Sequence, residues 1–242
     1  MKKTRLDIEI FNRNLASSRS NSQTLIRTGQ VFINEQKAIT PSQLVSSTDN
    51  IFIKEKLRYV SRGGLKLEHA LKKFKINPQN QICLDIGAST GGFTDCLLQH
   101  GANKVYALDV GTHQLSDKLK KDTRVFSLEQ THFLKIDKLP DPKISLVTID
   151  VSFISSKKIL NHLLTISNSK LVIILLLKPQ FESSPKNLKK GVIKDPKIHQ
   201  KIIADFQKFC HDHNIHIKNQ TTSPIKGPKG NVEFLFHLII QM

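Results

Sequence analysis

Four apolar runs punctuate the middle and later parts of the chain: Ile82–Ile86, residues 104–109, residues 144–150 and Leu171–Leu177. Each is nearly continuous rather than alternating, and helix-length segments separate them. Strands covered on both faces read this way, because crossover helices shield a parallel sheet on either side. Ahead of them, Leu67, Ala70, Leu71 and Phe74 recur at i, i+3, i+4 and i+7, which marks one apolar helix face. Towards the C-terminus, residues 215–217 and 232–238 are β-rich runs with no helix between them, so an antiparallel hairpin is expected. The fold class these patterns predict is α/β, with a Rossmann-like sheet.

The first 57 residues follow another rhythm. An apolar-periodic stretch around Leu6, Ile10, Phe11 and Leu15 and a second around Leu25 and Ile26, ending at Gly29, predict two short helices. Val31–Ile33 and Ile51–Ile53 predict a small sheet beside them. This segment is expected to be a separate small α+β module. Arg58, Arg62 and the paired Gly63 and Gly64 break the periodicity at residues 58–64, an expected linker, and residues 65–242 form the larger domain.

Composition sharpens the picture. Lys and Arg number 37 against 20 acids in 242 residues, a net charge of +17. Such an excess favours a polyanionic partner, which gains from neutralised phosphates and released counterions, although a generally lysine-rich proteome would also produce it. The longest apolar run, Leu171–Leu177, is stopped by Lys178 and is far short of the ~20 residues that span a bilayer. The N-terminus lacks the apolar segment of a secretory signal, so a cytoplasmic protein without a membrane partner is expected. Cys83, Cys96 and Cys210 contain no C-x-x-C pair, which points to neither a disulfide framework nor a zinc site.

The chemistry concentrates where strand Ile82–Ile86 runs into Gly87-Ala88-Ser89-Thr90-Gly91-Gly92 and a helix beginning near Phe93. Glycines there let the backbone approach a ligand at a helix N-terminus. A Walker A loop would need Lys where Phe93 stands, and a dinucleotide fingerprint would prefer Gly at Ser89. S-adenosylmethionine is the third reading: its ribose hydroxyls need a carboxylate at the end of the next strand, and Asp109 supplies one. A plain strand-to-helix turn stays open, as does a helix-capping role for Asp109.

Two resemblances extend this reading. Arg5-Leu6-Asp7, Ser18-Arg19-Ser20 and the run Leu25 through Asn34 resemble the S4 RNA-binding domain, which implies a helical face docking on structured RNA through Arg5, Arg19 and Arg27. Residues 58–67, 84–95, 107–111, 149–155, 177–182 and 223–234 together resemble the TlyA/haemolysin A family, which pairs an S4 domain with an FtsJ-like methyltransferase domain. That resemblance implies an S-adenosylmethionine-dependent 2′-O-methyltransferase acting on cytidine of rRNA in ribosomal subunits. It places a catalytic tetrad on Lys66, Asp150, Lys178 and Glu233, with Lys178 as the base or its electrostatic substitute. Cofactor contacts are expected from Asp85, Gly87, Ala88, Ser89, Gly91, Gly92, Phe93, Asp109 and Val110. The short ends are similar to the shorter type of the family, which implies large-subunit rRNA as substrate.

A 2′-hydroxyl is a weak acid and a sulfonium methyl is already activated, so alignment and proton removal are the requirements and no metal is expected. His211-Asp212-His213 with His216 has spacing that could hold a metal, but a lone polar cluster at a helix-to-strand junction is more often a solvated surface. Lys186 through Lys194 could guide RNA or face solvent. Other classes considered are a non-catalytic S4 ribosome-binding protein, a membrane-active haemolysin and a pseudouridine synthase; a monomer is favoured.

Overall fold

The computed structural model describes residues 3–53 and 58–241. The chain divides into two compact units, Met1–Arg62 and Gly63–Met242. The expected boundary at residue 57 lies outside the described residues.

The first unit runs β1 (Lys3–Arg5), α1 (Leu6–Asn12), α2 (Arg19–Arg27), β2 (Val31–Ile33), β3 (Gln36–Lys37), β4 (Leu44–Ser46) and β5 (Ile51–Ile53). Its core is the apolar face of the two helices, with Leu6, Ile10, Leu25 and Ile26 closing on Val31 and Val45. The first helix is shorter than the periodicity suggested, because Asn14 adopts φ 56° and turns the chain before Leu15. The hydroxyl of Ser18 accepts a hydrogen bond from the Asn21 N–H at 3.0 Å and so starts α2. β1, β3 and β4 have only two or three residues, too few to leave a readable alternation.

The second unit continues α3 (Gly63–Phe74), β6 (Ile82–Ile86), α4 (Gly92–Gln99), β7 (Lys104–Leu108), α5 (Asp117–Lys120), β8 (Val125–Leu128), β9 (Ile144–Ile149), α6 (Ser156–Ile166), β10 (Leu171–Leu177), α7 (Pro179–Glu182), α8 (Pro196–Asp212), β11 (His216–Thr222) and β12 (Phe234–Ile240). Gly63 and Gly64, expected in a linker, occupy the first turn of α3. Seven strands form one sheet in the order β11-β12-β10-β9-β6-β7-β8. All neighbours from β10 to β8 pair in parallel, while β12 pairs antiparallel with both β10 and β11. The fold is therefore α/β, with a Rossmann-like sheet.

The topology fixes where a ligand can bind. From β6 the chain winds outward through β7 to β8, then returns to place β9 on the other side of β6. That reversal opens a crevice at the C-terminal ends of β6 and β9, the position where open α/β sheets bind ligands. Because β12 is antiparallel, its beginning lies at the same edge: Leu177 at the end of β10 pairs with Phe234 at the start of β12.

Candidate active site

Six segments meet at this edge, and their sequences explain why the side chains arrive there. β10 is seven residues with no charge, and Pro179 at the first position of α7 cannot continue the ladder, so Lys178 is the first polar residue after a buried strand. The Asp150 N–H donates to the Ile86 carbonyl at 3.0 Å, which carries the β6–β9 pairing one residue further and sets the Asp150 carboxylate at the crevice. Lys178 Nζ lies 2.6 Å from Asp150 Oδ1 and donates to the Ser152 hydroxyl at 3.0 Å. Their side chains are only 13% and 20% exposed, so the pair is shielded without being sealed.

A second pair lies alongside in the sequence register. Lys66, in the second turn of α3, donates to Glu233 Oε2 at 2.5 Å, and both side chains are buried. Desolvating two charges is tolerated only when they meet each other. Among the described residues the other oxygen, Oε1, has no hydrogen-bond partner. It lies against Gly227, where a Cβ would come within 2.5 Å of it.

The glycine turn is built for close approach. Gly87, at φ 84°, lies so near the Asp150 backbone that a Cβ would meet its carbonyl oxygen at 2.6 Å. Gly91, at φ 92°, caps α4 in the left-handed region. Ser89 and Thr90 are exposed, whereas Ala88, Gly91, Gly92 and Phe93 are buried. Across the turn, Asp109 accepts from the Ser89 N–H at 2.8 Å and from the Gly111 N–H at 2.7 Å, one bond to each carboxylate oxygen. Val110 beside it is 65% exposed. A carboxylate with lone pairs left over, next to an open apolar side chain, fits a ligand that offers ribose hydroxyls and a flat apolar ring.

Asp85 has a different position from its neighbours in the motif. It is fully buried, and its oxygens accept from the Thr94 hydroxyl at 2.6 Å and the Thr148 hydroxyl at 2.8 Å. Burial pushes its pKa up to about 6, against the pull of the two threonine hydrogen bonds, and the nearby Asp150 charge adds to the rise. It ties α4 and β9 to β6 beneath the turn.

Residues 59–239 match the FtsJ-like methyltransferase family model, and residues 4–51 match the S4 domain. The chain is 45% identical over 239 residues to Hemolysin A of Brachyspira hyodysenteriae, covering 98% of this chain and 100% of that one. It is 36% identical over 246 residues to a 16S/23S rRNA (cytidine-2′-O)-methyltransferase TlyA of Mycobacterium tuberculosis, covering 99% and 91%. This chain belongs to the FtsJ-like methyltransferases, in the TlyA/haemolysin A family. A further TlyA relative, the 23S rRNA (cytidine-2′-O)-methyltransferase of Campylobacter jejuni, is 44% identical over 184 residues, 75% of this chain and 71% of that one.

In this methyltransferase the four residues singled out by the resemblance fall into two ion pairs, Lys178 with Asp150 and Lys66 with Glu233. Several residues that support them lie in segments that resemble the family, but the sequence assigns them no role. Ser152 holds Lys178. Glu182 accepts from the Ser155 and Ser156 hydroxyls and the Ser156 N–H, all at 2.6 Å, and fastens the segment after β9 to α7. Within that segment Phe153 is 92% exposed at φ 65°, its ring 5.1 Å from that of Phe181. A bulky side chain in the left-handed region is strained, and such strain clusters at functional sites.

In the S4 unit, Arg5 and Arg19 both bond the buried carboxylate of Asp7, at 3.0 and 3.1 Å, and remain about half exposed. Burial opposes ionisation of Asp7, but bonds from Arg5, Gln23 and Arg19 outweigh it and hold the carboxyl well below the usual range. Asp7 thus fixes two guanidinium groups side by side. Arg27 is exposed at the end of α2. Arg13, by contrast, spends its guanidinium on Glu9 and on the carbonyls of Ser46, Ser47 and Asp49. Among the described residues no helix is long and apolar enough to cross a membrane, and no group of three or more His, Cys, Asp or Glu side chains could hold a metal.

Proposed function

We propose that this chain is an S-adenosylmethionine-dependent rRNA (cytidine-2′-O)-methyltransferase acting on large-subunit rRNA within the ribosomal subunit. The observation that carries the reading is the pairing of Lys178 with Asp150 and of Lys66 with Glu233 at the strand ends beside the glycine turn. The TlyA relatives from two organisms support the cytidine 2′-oxygen and 23S rRNA, which both names include, while the Mycobacterium tuberculosis name includes 16S rRNA as well.

S-adenosylmethionine supplies an activated sulfonium methyl. The protein's task is alignment and proton removal, because a 2′-hydroxyl becomes a good nucleophile only as its proton leaves. Asp109 would hold the cofactor ribose and Val110 would flank its adenine. The backbone of Gly87, Ala88, Ser89, Gly91 and Gly92 would hold its amino-acid end, while Asp85 and Phe93 support the turn from below. Lys178 and Asp150 would take up the 2′-hydroxyl proton: Lys178 as the base once its own ammonium proton has passed to Asp150, or as the charge that stands in for a base while the Asp150 carboxylate holds the proton. Ser152 keeps Lys178 aimed, and Lys66 with Glu233 fixes the charge around the substrate ribose. The exposed Phe153, braced by Phe181, offers a face on which a splayed base can stack. Arg5, Arg19 and Arg27 of the S4 unit contribute phosphate contacts.

Lys178→Ala tests the mechanism. Turnover on saturating ribosomal subunits should fall by about 10²–10⁴-fold, the usual worth of a positioned proton acceptor, while S-adenosylmethionine affinity by calorimetry stays close to wild type. Near-normal turnover would remove Lys178 from the reaction.

A further inference from the structure

Two loops beside the active site carry positive charge with no acid to offset it. Residues 183–194 contain Lys186, Lys189, Lys190 and Lys194, and residues 223–232 contain Lys226 and Lys229; neither segment holds an Asp or Glu. All six lysines are exposed. The loops are distant in sequence but joined in space by one buried side chain. Asn231 donates to the Gly191 carbonyl at 2.9 Å and accepts from the Ile193 N–H at 3.0 Å, so its amide bridges the turn closed by Lys189 and Val192. The Lys229 side chain crosses that turn, with its Cδ and Nζ each 3.4 Å from where a Gly191 Cβ would be. Buried amides that satisfy both a donor and an acceptor on another loop fix relative position, since breaking either bond leaves a polar group stranded.

We infer that these two loops form a single cationic ridge that grips the phosphate backbone of the RNA substrate and sets it against the Lys66–Glu233 pair. This rests on the function proposed above. The ridge lacks what a protein partner would need: none of the exposed large hydrophobic side chains lies in either loop, and protein interfaces are depleted of lysine and centred on aromatic or aliphatic anchors. It also lacks the aromatic side chains that read splayed bases. Bare lysines on Gly-, Pro- and Ser-bearing loops suit phosphates, which position the nucleic acid without reading its sequence. The connection to chemistry is short. Gly227 of the same loop packs directly on Glu233, and the Gly227 N–H bonds the Asn231 carbonyl at 2.9 Å. RNA held by the ridge is thereby held relative to Glu233 and Lys66.

The experiment uses the full-length protein and measures its binding to purified large ribosomal subunits across a salt series. One variant combines Lys189→Gln, Lys190→Gln and Lys229→Gln. A control combines Lys138→Gln, Lys143→Gln and Lys170→Gln, exposed lysines of which the last two directly precede β9 and β10, at the strand ends opposite the site. The slope of log affinity against log salt loses about 0.7–0.9 per phosphate contact removed, so the ridge variant should flatten it by about 2–3 and the control by less than 1. Equal slopes in the ridge variant and wild type, or equal losses in ridge and control variants, would overturn the inference. Asn231→Ala supplies a second readout: with all lysines kept, methyl transfer at saturating subunits should fall at least tenfold, and unchanged transfer would contradict the coupling. Failure of wild type to methylate any ribosomal RNA would count against the proposed function instead, leaving the binding slopes to judge the ridge separately.

Discussion

At the scale of single residues, burial separates the pair proposed to meet the substrate from a carboxylate that holds structure. Lys178 and Asp150 keep a little exposure, while Asp85 keeps none and serves two threonines. Asp85 has a measurable consequence. Its folded pKa near 6 lies above the ordinary 3.8, so below pH 4 it is protonated in both folded and unfolded chains. As pH rises from about 4 to 6 the unfolded chain releases the proton first, and stability falls until the folded pKa is passed. At about 1.4 kcal/mol per pH unit, the loss across that window is of order 3 kcal/mol. Asp85→Asn should flatten this part of the stability profile in denaturant titrations; profiles of the same shape in both proteins would contradict the assignment. Asp7 acts in the opposite direction, because its depressed pKa makes its contribution present above about pH 4 and lost as pH falls further. Legibility at this scale followed chemistry. A charge placed directly after seven apolar residues made Lys178 stand out, and the turn pointed to Asp109. Ser152, Thr94 and Asn231 fall in segments that resemble the family but received no role, since an ordinary polar residue acquires its role only from the partner that folding brings to it.

At the scale of elements, strands buried on both faces were readable, the edge strand β8 was not, and β11 at the opposite edge was readable only at its start. β6, β7, β9 and β10 are apolar runs because helices cover them, whereas β8 lies at the sheet edge with Phe126 and Ser127 exposed, and its pattern carries no period. The loop before β12 resembles the family, but the sequence assigns no role to its glycines, one of which constrains Glu233. A methyl group at Gly227 would sit 2.5 Å from Glu233 Oε1, while one at Gly230 meets nothing within 4 Å. Gly227→Ala should therefore push Glu233 away from Lys66 and lower turnover at least tenfold. Gly230→Ala, which incurs only the strain of a positive φ, about 1 kcal/mol, should cost stability with little loss of turnover. Equal turnover in the two variants would show that the Lys66–Glu233 contact is not needed.

At the scale of the whole molecule, a methyltransferase sheet and an S4 unit share one strongly basic chain. The net charge of +17 now has specific carriers in the argument: guanidinium groups arrayed by Asp7 in the first unit, and the lysine ridge beside the site in the second. Composition foretold a polyanion but not which one, because charge records how strongly a phosphate backbone is attracted and not which nucleotide reaches the site. The choice of nucleotide depends on RNA shape and on a base leaving its stack. The measurement that bears most directly on the central claim is transfer of a labelled methyl from S-adenosylmethionine to purified large and small ribosomal subunits, assayed separately and followed by mapping of the modified position. The account predicts label on the large subunit at a cytidine 2′-oxygen, lost in Lys178→Ala. Label on a base, or no transfer to either subunit by protein that binds S-adenosylmethionine, would contradict it.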